Sequence, residues 1–446
     1  MTRISIPIAA DADPKKEVSR LSLHLEGVDA PAPIDVDGNA LLKVSREIPD
    51  MAQDLFTIAS CIYAADKAVA RTSVDDNWTR EIAIEIPIEH LETWSAVAEP
   101  FSKTVSYLTG DFWQISFRKG EKRLIQRRIR KRSIPYKRAH GSAVALFSGG
   151  LDSYIGALDW LAENTTERLL LVGHYDRDVS GPGADQRRLK EVCDRFFPKR
   201  TELAQAQIGL YEGGADTNFR SRSLLFIALG CYFAEVMGDD VPVLISENGP
   251  IALNFPLTPA RRGSCSTRTV HPEFISGLTH ILREVGISNP IINRYDLVTK
   301  GEMVAGCGHP AALHAGFALT RSCAKANRRT YWVNKKGALG CGLCIPCLFR
   351  RASLHSEGLD TELYGIPVES LDNMIGDARE DILALVTFLR TRHSDREIAA
   401  RLLANGRLSM EKLSDYVDMI KRMRAEVLQW LKAKGSPFLQ NEVRAC

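Results

Sequence analysis

Two groups of residues in this 446-residue sequence have types and spacing suited to chemistry. The first is the segment AVALFSGGLDS at residues 143–153, in which a short apolar run leads into a turn with two glycines. Glycines let the backbone turn tightly, and successive N–H groups at the start of a helix bind anions. Ser148 and Ser153 add hydroxyl donors. No Gly-Lys-Ser/Thr follows, so the segment is not a Walker loop, but it suits a pyrophosphate.

The second group consists of four cysteines in the C-terminal half of the chain. Cys341, Cys344 and Cys347 are spaced by two residues, and seventeen residues separate Cys323 from Cys341. Four thiolates enclose Zn²⁺ tetrahedrally with no open position, which is typical of a structural site. An iron–sulfur cluster accepts such spacing too and is the alternative. The chain has ten cysteines, and in a cytosolic protein these indicate metal ligands or reactive thiols rather than disulfides.

Composition argues against several classes of protein. The net charge is only +3, so the chain as a whole is not an obvious nucleic-acid binder. No run of about eighteen apolar residues occurs, so no membrane span is expected. The N-terminal segment MTRISIPIAADADPKK lacks an apolar signal core, and we therefore expect a cytoplasmic protein. The length predicts two or three domains.

The first region, residues 1–138, mixes strand and helix patterns and contains no chemical motif. It ends in a basic run at residues 118–138, with eleven basic residues and one acid. Such a run predicts either a solvated helix or linker, or a contact surface for phosphate or an acidic partner. The regular patterns are strands at 81–88 and 112–118 and a mostly helical segment at 39–69, broken near Pro49.

The second region, residues 139–355, alternates strands and helices, and the third, residues 356–446, is predicted to be helical. Alternation predicts parallel strands joined by crossover helices. Ligands in such sheets bind at the carboxyl ends of the strands, where the SGGLDS loop (residues 148–153) is expected. The predicted strands are 143–147, 169–175, 207–210 and 242–246, and the predicted helices include 153–163, 221–236, 377–392 and 409–434.

The SGGLDS loop resembles the SGGxDS loop of the PP-loop ATP pyrophosphatases, which cleave ATP between the α and β phosphates and leave AMP on the substrate. Further motifs occur in order along the chain. Together they resemble the 7-cyano-7-deazaguanine synthase (QueC) family over roughly residues 140–355. The motifs are SGGLDS, Gln186-Arg187 with Glu191, SRS at 221–223, Lys300 in TKGEM, RSC at 321–323, and CGLCIPCLFR at 341–350.

This resemblance implies an α/β fold with a PP-loop (adenine nucleotide alpha hydrolase-like) parallel sheet and a zinc-binding lobe. An α+β N-terminal domain at 1–138 and a helical C-terminal region at 356–446 would flank the catalytic domain at 139–355. It also implies that ATP binds at the loop and the end of the preceding strand. The residues concerned are Leu146, Phe147, Ser148, Gly149, Gly150, Leu151, Asp152 and Ser153.

The implied reaction is adenylation of 7-carboxy-7-deazaguanine or a similar acid, followed by attack of an amine. A carboxylate is a poor electrophile, and adenylation gives it a good leaving group. Asp152 would hold Mg²⁺, which bridges phosphates, and Lys300 and Arg222 would supply further charge at the catalytic centre. The implied substrate-binding residues are Gln186, Arg187, Glu191, Arg220, Arg222, Ser223 and Lys300, and the implied Zn²⁺ ligands are Cys323, Cys341, Cys344 and Cys347.

The chain is about twice as long as ordinary members of that family. It has Ser223 where the family has asparagine, and its loop between Cys323 and Cys341 is long and basic. A long chain of this kind resembles the QueC-like components of bacterial anti-phage defence systems, QatC of the Qat system and its counterpart in type IV CBASS. The amine acceptor would then be a partner protein of a defence operon, or less readily a nucleic acid.

The sequence is also compatible with other functions. They are a PP-loop tRNA-modifying enzyme, a housekeeping synthase that uses ammonia, and a non-catalytic nucleotide-sensing scaffold. The closed set of four cysteines argues against tRNA thiolation, because it leaves no spare cysteine in the cluster for sulfur transfer. The flanking regions could dock a macromolecular acceptor or stabilise a homodimer.

Overall fold

A computed structural model describes most of the chain, in ranges separated by gaps. The described residues are 2–5, 18–26, 32–37, 41, 48–76, 78–120, 124–125, 141–176, 181–210, 214, 220–257, 268–326, 329–330, 332–368, 380–444 and 446. Most of the basic run at 118–138 lies outside the described residues, and so does Arg328 of the basic loop between Cys323 and Cys341.

Ten strands of the described chain form one mixed sheet, which contains strands from both the first and the second predicted region. From one edge to the other they are β10 (Ile291–Asn293), β9 (Val243–Ile245), β6 (Ala143–Leu146), β7 (Leu169–Tyr175), β8 (Thr201–Leu210), β3 (Ala32–Asp37), β2 (Val18–Leu25), β1 (Thr2–Ser5), β4 (Glu81–Ile88) and β5 (Phe112–Lys119).

The central strands are parallel, as the sequence predicts. β6 pairs in parallel with both β7 and β9, and β7 pairs in parallel with β8. Every residue of β7 except the half-buried Tyr175 is buried. A continuous apolar run of this kind is typical of a parallel strand that is covered on both faces. The predicted strand at 207–210 begins earlier in the structure, at Thr201. The sequence pattern misses the first half of this strand because glutamate and glutamine interrupt its apolar residues.

The N-terminal strands extend this sheet beyond β8. β3 pairs antiparallel with β8, with Ile34 opposite Leu210 and Val36 opposite Ile208. β2 pairs antiparallel with β3 and with β1, whereas β1, β4 and β5 are parallel neighbours. In β4, residues Ile82, Ile84 and Ile86 are buried, and they alternate with more exposed positions as expected. Of these strands, the sequence pattern predicts β4 and β5, whereas β1, β2 and β3 were not predicted.

Helices connect the strands and form the C-terminal part of the chain. In the described residues they are α1 (Asp50–Ala68), α2 (Leu91–Ala96), α3 (Ala98–Thr109), α4 (Leu151–Glu163), α5 (Pro182–Phe196), α6 (Arg222–Met237), α7 (Gly249–Ala252), α8 (Pro272–Glu284), α9 (Lys300–Ala305), α10 (Pro310–Gly316), α11 (Ile345–Ser356), α12 (Glu380–Arg390), α13 (Asp395–Leu403), α14 (Leu413–Lys434) and α15 (Pro437–Glu442). The predicted helices occur in the described residues, some with ends shifted by a few residues. Most of residues 39–47 of the predicted segment 39–69, and residues 377–379 of the predicted helix 377–392, lie outside the described residues. Across the described ranges, no helix is both long and apolar enough to cross a membrane.

Contacts divide the chain into two compact units. The first unit comprises residues 1–148, 164–245 and 267–292, and contains most of the sheet. The second comprises residues 149–163, 246–266 and 293–446, and contains α4, the four cysteines and the C-terminal helices. The limits of these two units do not coincide with the predicted domain boundaries near residues 138 and 355.

Candidate active site and metal centre

The SGGLDS loop forms the turn between β6 and α4. Gly149 has φ of 86°, a left-handed conformation that favours glycine. Helix α4 begins at Leu151, and the Ser153 hydroxyl donates to the Gly150 carbonyl at 3.0 Å. The first N–H groups of any helix lack acceptors within the helix. The predicted strand–loop–helix arrangement is therefore confirmed, and its geometry suits an anion at the start of α4.

The structure brings together two predicted catalytic residues that lie far apart in the sequence. Asp152 is in the first turn of α4, and Lys300 is the first residue of α9. Lys300 Nζ donates a hydrogen bond to Asp152 Oδ1, and each side chain is only 8% exposed. A buried pair compensates both charges, whereas either one alone would be costly to bury.

Two further polar residues, which sequence reasoning missed, contact the same aspartate. Asn248 Nδ2 donates to Asp152 Oδ2 at 2.7 Å, and Glu247 shares a hydrogen bond with the Asp152 carboxylate. Both residues follow β9 after one intervening residue, Ser246. Their position at the carboxyl end of a parallel strand was a usable signal, since ligands bind at such ends.

The pKa values of Asp152 and Glu247 are shifted in opposite directions. Burial raises the pKa of Asp152, but the neighbouring Lys300 ammonium outweighs this, and the pKa lies below its usual value. Burial and the negative charge of Asp152 raise the pKa of Glu247 to about 8. Carboxyl groups whose pKa values are pushed apart are typical of functional sites, although structural ion pairs produce the same effect.

The predicted substrate residues Gln186 and Arg222 lie in the first unit, near the C-terminal half of β7. Gln186 Nε2 lies 3.4 Å from the Ser148 carbonyl of the SGGLDS loop and 3.3 Å from the His174 carbonyl, and donates to both. Arg222 donates from Nε to His174 Nδ1 at 3.3 Å and from Nη2 to the His174 carbonyl at 3.2 Å. Gly173 permits this approach, because a Cβ there would lie 2.2 Å from Gln186 Oε1.

The other predicted substrate residues have different surroundings. Arg220 is buried, donates to the Thr109 carbonyl at 2.8 Å and stacks on the Trp78 ring. Arg187 and Glu191 lie on the exposed side of α5, where Arg187 donates to Gln205. The Ser223 hydroxyl is buried and has no hydrogen-bond partner among the described residues.

Arg220 belongs to a buried ionic cluster in the first unit. Arg80 and Arg71 both pair with Asp111, at 2.7 Å each, and Arg80 also pairs with Asp66. Burial and the positive charge of Arg71 lower the pKa of Arg220 to about 10. The Ser221 hydroxyl donates to Asp66 at 2.7 Å, so the cluster anchors the start of α6 and thereby the segment that carries Arg222.

The four predicted metal-ligand cysteines converge in the second unit. Their sulfur atoms all lie within 4.8 Å of one another, and the pairs Cys341–Cys347 and Cys344–Cys323 are 3.9 Å apart. A tetrahedron with Zn–S bonds of about 2.3 Å has sulfur–sulfur edges of about 3.8 Å. The group therefore fits one tetrahedral ion. A multinuclear cluster would hold the sulfurs further apart, because several irons and bridging sulfides would lie between them.

Backbone groups complete the cysteine site. The N–H groups of Cys341 and Lys325 donate to Cys323 Sγ at 3.2 and 3.3 Å, and those of Leu343 and Cys344 donate to Cys341 Sγ at 3.4 and 3.3 Å. Donors of this kind stabilise thiolates and orient ligands. The motif geometry is therefore compatible with zinc.

A cavity of about 160 Å³ lies beside the cysteine site, within the second unit. Cys323, Cys347, Glu362 and Arg321 are among its lining residues. The backbone N–H of Arg321 donates to the Gly149 carbonyl at 2.9 Å, so the cavity wall is bonded directly to the SGGLDS loop.

Comparison with known proteins does not place the chain in a family. No protein-family model matches it, and no curated protein matches its sequence.

Proposed function

We propose that this chain is a QueC-like PP-loop enzyme that adenylates a carboxylate, such as 7-carboxy-7-deazaguanine, and passes the acyl group to an amine. The observation that carries the proposal is the buried Asp152–Lys300 pair at the start of α4, directly after a glycine-rich turn. The cysteine site supports it, because the resemblance couples such a loop with a structural zinc.

In the first step, a carboxylate oxygen of the acid attacks the α-phosphorus of ATP, and the bond to the β-phosphate breaks. The products are an acyl adenylate and pyrophosphate. In the second step, the amine attacks the acyl carbon, AMP leaves, and the amine loses a proton. Both steps develop negative charge on phosphate oxygens, which fixed N–H donors and cations stabilise.

Each residue of the pair has a distinct role in this proposal. Asp152 and Glu247 supply hard oxygen ligands of the kind that Mg²⁺ prefers, and the ion would neutralise phosphate charge. With such an ion bound to these side chains, the Lys300 ammonium would be available to bind a phosphate oxygen. Until then, the pair keeps both charges compensated.

The second substrate of the proposed reaction is the amine acceptor. We propose a partner protein of an anti-phage defence system, on the basis of the long flanking regions and the resemblance described above. The cavity beside Arg321 and the cysteine site suits the acid, because its wall is bonded to the SGGLDS loop.

The test is to incubate the protein with Mg²⁺, ATP and 7-carboxy-7-deazaguanine and to quantify AMP and pyrophosphate. We expect equal amounts of the two products, formed only when the carboxylate is present. Asp152→Asn should lower the rate roughly 100-fold, whereas Asp240→Asn, at an exposed position, should retain it. Formation of ADP and phosphate alone, or a rate that ignores the acid, would refute the proposal.

A further inference from the structure

The longest C-terminal helix, α14, contacts the segment that carries Lys300. The Glu426 carboxylate accepts a hydrogen bond from the Thr299 hydroxyl through Oε1 and one from the Gly301 N–H, at 3.3 Å, through Oε2. It therefore bonds to the residues on both sides of Lys300. A Cβ at position 301 would lie 2.6 Å from the Glu426 carboxylate carbon, so a glycine is required for this approach.

The contact falls on the N-terminal cap of α9. Thr299 is the cap residue, and it forms a capping box with Glu302: the Glu302 N–H donates to Thr299 Oγ1 at 3.1 Å, and the Thr299 N–H donates to Glu302 Oε2 at 2.8 Å. A capping box fixes the direction in which a helix starts. Arg422, one turn before Glu426 on α14, donates to Glu302 Oε1 at 2.6 Å. Helix α14 therefore holds both halves of the cap.

Lys300 is the first residue after this cap, and its ammonium reaches Asp152 on α4. The side chain is long and flexible, so its reach depends on where the backbone of residue 300 is held. Residue 300 lies between Thr299 and Gly301, and Glu426 accepts a hydrogen bond from each of them. We propose that Glu426 is a positioning residue for Lys300, so that the C-terminal region helps to build the catalytic centre. The catalytic part of this statement rests on the proposed function.

The first measurement reports the position of Lys300 without turnover. The folded protein is treated briefly with an amine-reactive acylating reagent, and labelling of Lys300 is quantified by peptide mass spectrometry. We expect Glu426→Ala to raise the labelling rate at least fivefold, because the ammonium is then released from its buried contact. Gln429→Ala, which truncates an exposed side chain on the same helix, should label like the wild type.

The second measurement is pyrophosphate release. Small misplacement of a catalytic group costs up to about 100-fold in rate, and we expect Glu426→Ala to lower kcat about tenfold with the KM for ATP changed less than twofold. Glu426→Gln keeps one acceptor oxygen and should fall between the wild type and Glu426→Ala in both measurements. If Glu426→Ala does not fold, Glu426→Gln alone decides, since wild-type labelling and wild-type kcat in that variant would overturn the proposal.

The two measurements separate the two proposals. If the wild type releases no pyrophosphate but Lys300 labelling rises in Glu426→Ala, the positioning contact stands and the proposed function fails. If the wild type turns over and a folded Glu426→Ala labels and turns over like it, the function stands and the positioning role is wrong.

Discussion

Nδ1 of His174 accepts a hydrogen bond from Nε of Arg222, with 3.3 Å between the two nitrogens. The other ring nitrogen, Nε2, lies 2.9 Å from the Ile208 carbonyl and donates to it, which leaves Nδ1 as the acceptor. His174 is fully buried, and burial together with the positive charge of Arg222 lowers its pKa to about 3. The ring is therefore neutral near pH 7 and orients the arginine rather than exchanging a proton with a substrate.

Replacing His174 with phenylalanine tests this orientation. The ring contacts with Tyr63 and Phe226 would be kept, whereas both nitrogens would be lost. A hydrogen bond to a charged group contributes about 1.5–3 kcal/mol, so we expect kcat/KM for the proposed carboxylate substrate to fall at least tenfold. Steady-state kinetics of pyrophosphate release provide the measurement. The exposed His280→Phe is the control, and equal losses in the two variants would contradict the interpretation.

The same histidine makes stability depend on pH. A base whose pKa is lowered by folding stabilises the native state above its unfolded pKa, near 6.5, and this contribution is lost as the pH falls. Between pH 6.5 and 5 we expect a loss of roughly 2 kcal/mol in the wild type that His174→Phe does not show. The charged groups around the ring, Arg222, Asp176 and Lys67, are present in both proteins. Urea unfolding at several pH values checks the difference, and parallel curves would contradict it.

The pairing of Asp152 with Lys300 predicts strong non-additivity. Removing one member of a buried pair leaves an uncompensated charge, which costs about 3–5 kcal/mol. We therefore expect Lys300→Met to be destabilised by that amount. The double variant Asp152→Asn, Lys300→Met should recover most of the loss, although neither protein should turn over. Denaturant unfolding of the wild type, of Asp152→Asn and Lys300→Met, and of the double variant measures the cycle, with exposed Lys434→Met as the control. Additive losses would show that the pair is not formed in solution.

The cysteine site predicts one zinc ion per chain. In small zinc peptides, such a site contributes on the order of 10 kcal/mol to folding. We expect Cys344→Ser to yield insoluble or unstable protein with less than one zinc per chain, whereas Cys446→Ser, outside the site, should retain the metal. Elemental analysis and thermal unfolding test this. A brown protein with visible absorbance would instead indicate an iron–sulfur cluster and favour the tRNA-modification alternative.

Local sequence was sufficient for the parts of the site that are local in the chain. The SGGLDS loop and the group Cys341, Cys344 and Cys347 each lie within a few residues, so spacing alone predicts their geometry. The prediction that Cys323 joins this group is also confirmed, since its sulfur lies 3.9 Å from that of Cys344.

Contacts between distant segments could not be read from periodicity. Asp152 and Lys300 are 148 residues apart, and only the resemblance linked them. Glu426 sits in an ordinary amphipathic helix, where a half-buried glutamate has no sequence signal. Likewise, the sequence predicted the strands at 81–88 and 112–118 but not β1, β2 and β3, and the pairing of β3 with β8 depends on long-range contacts that no local pattern encodes.

The junction between β3 and β8 has a consequence for dissecting the protein. A strand at the end of a sheet presents a row of unsatisfied N–H and C=O groups, to which other chains readily add. Because residues Ile34 to Val36 of β3 pair with β8, β8 is an interior strand rather than the edge of the sheet. A truncated protein that lacks residues 1–138 would expose β8 as an edge strand, to which other chains could pair. The N-terminal strands therefore protect the protein against self-association through β8.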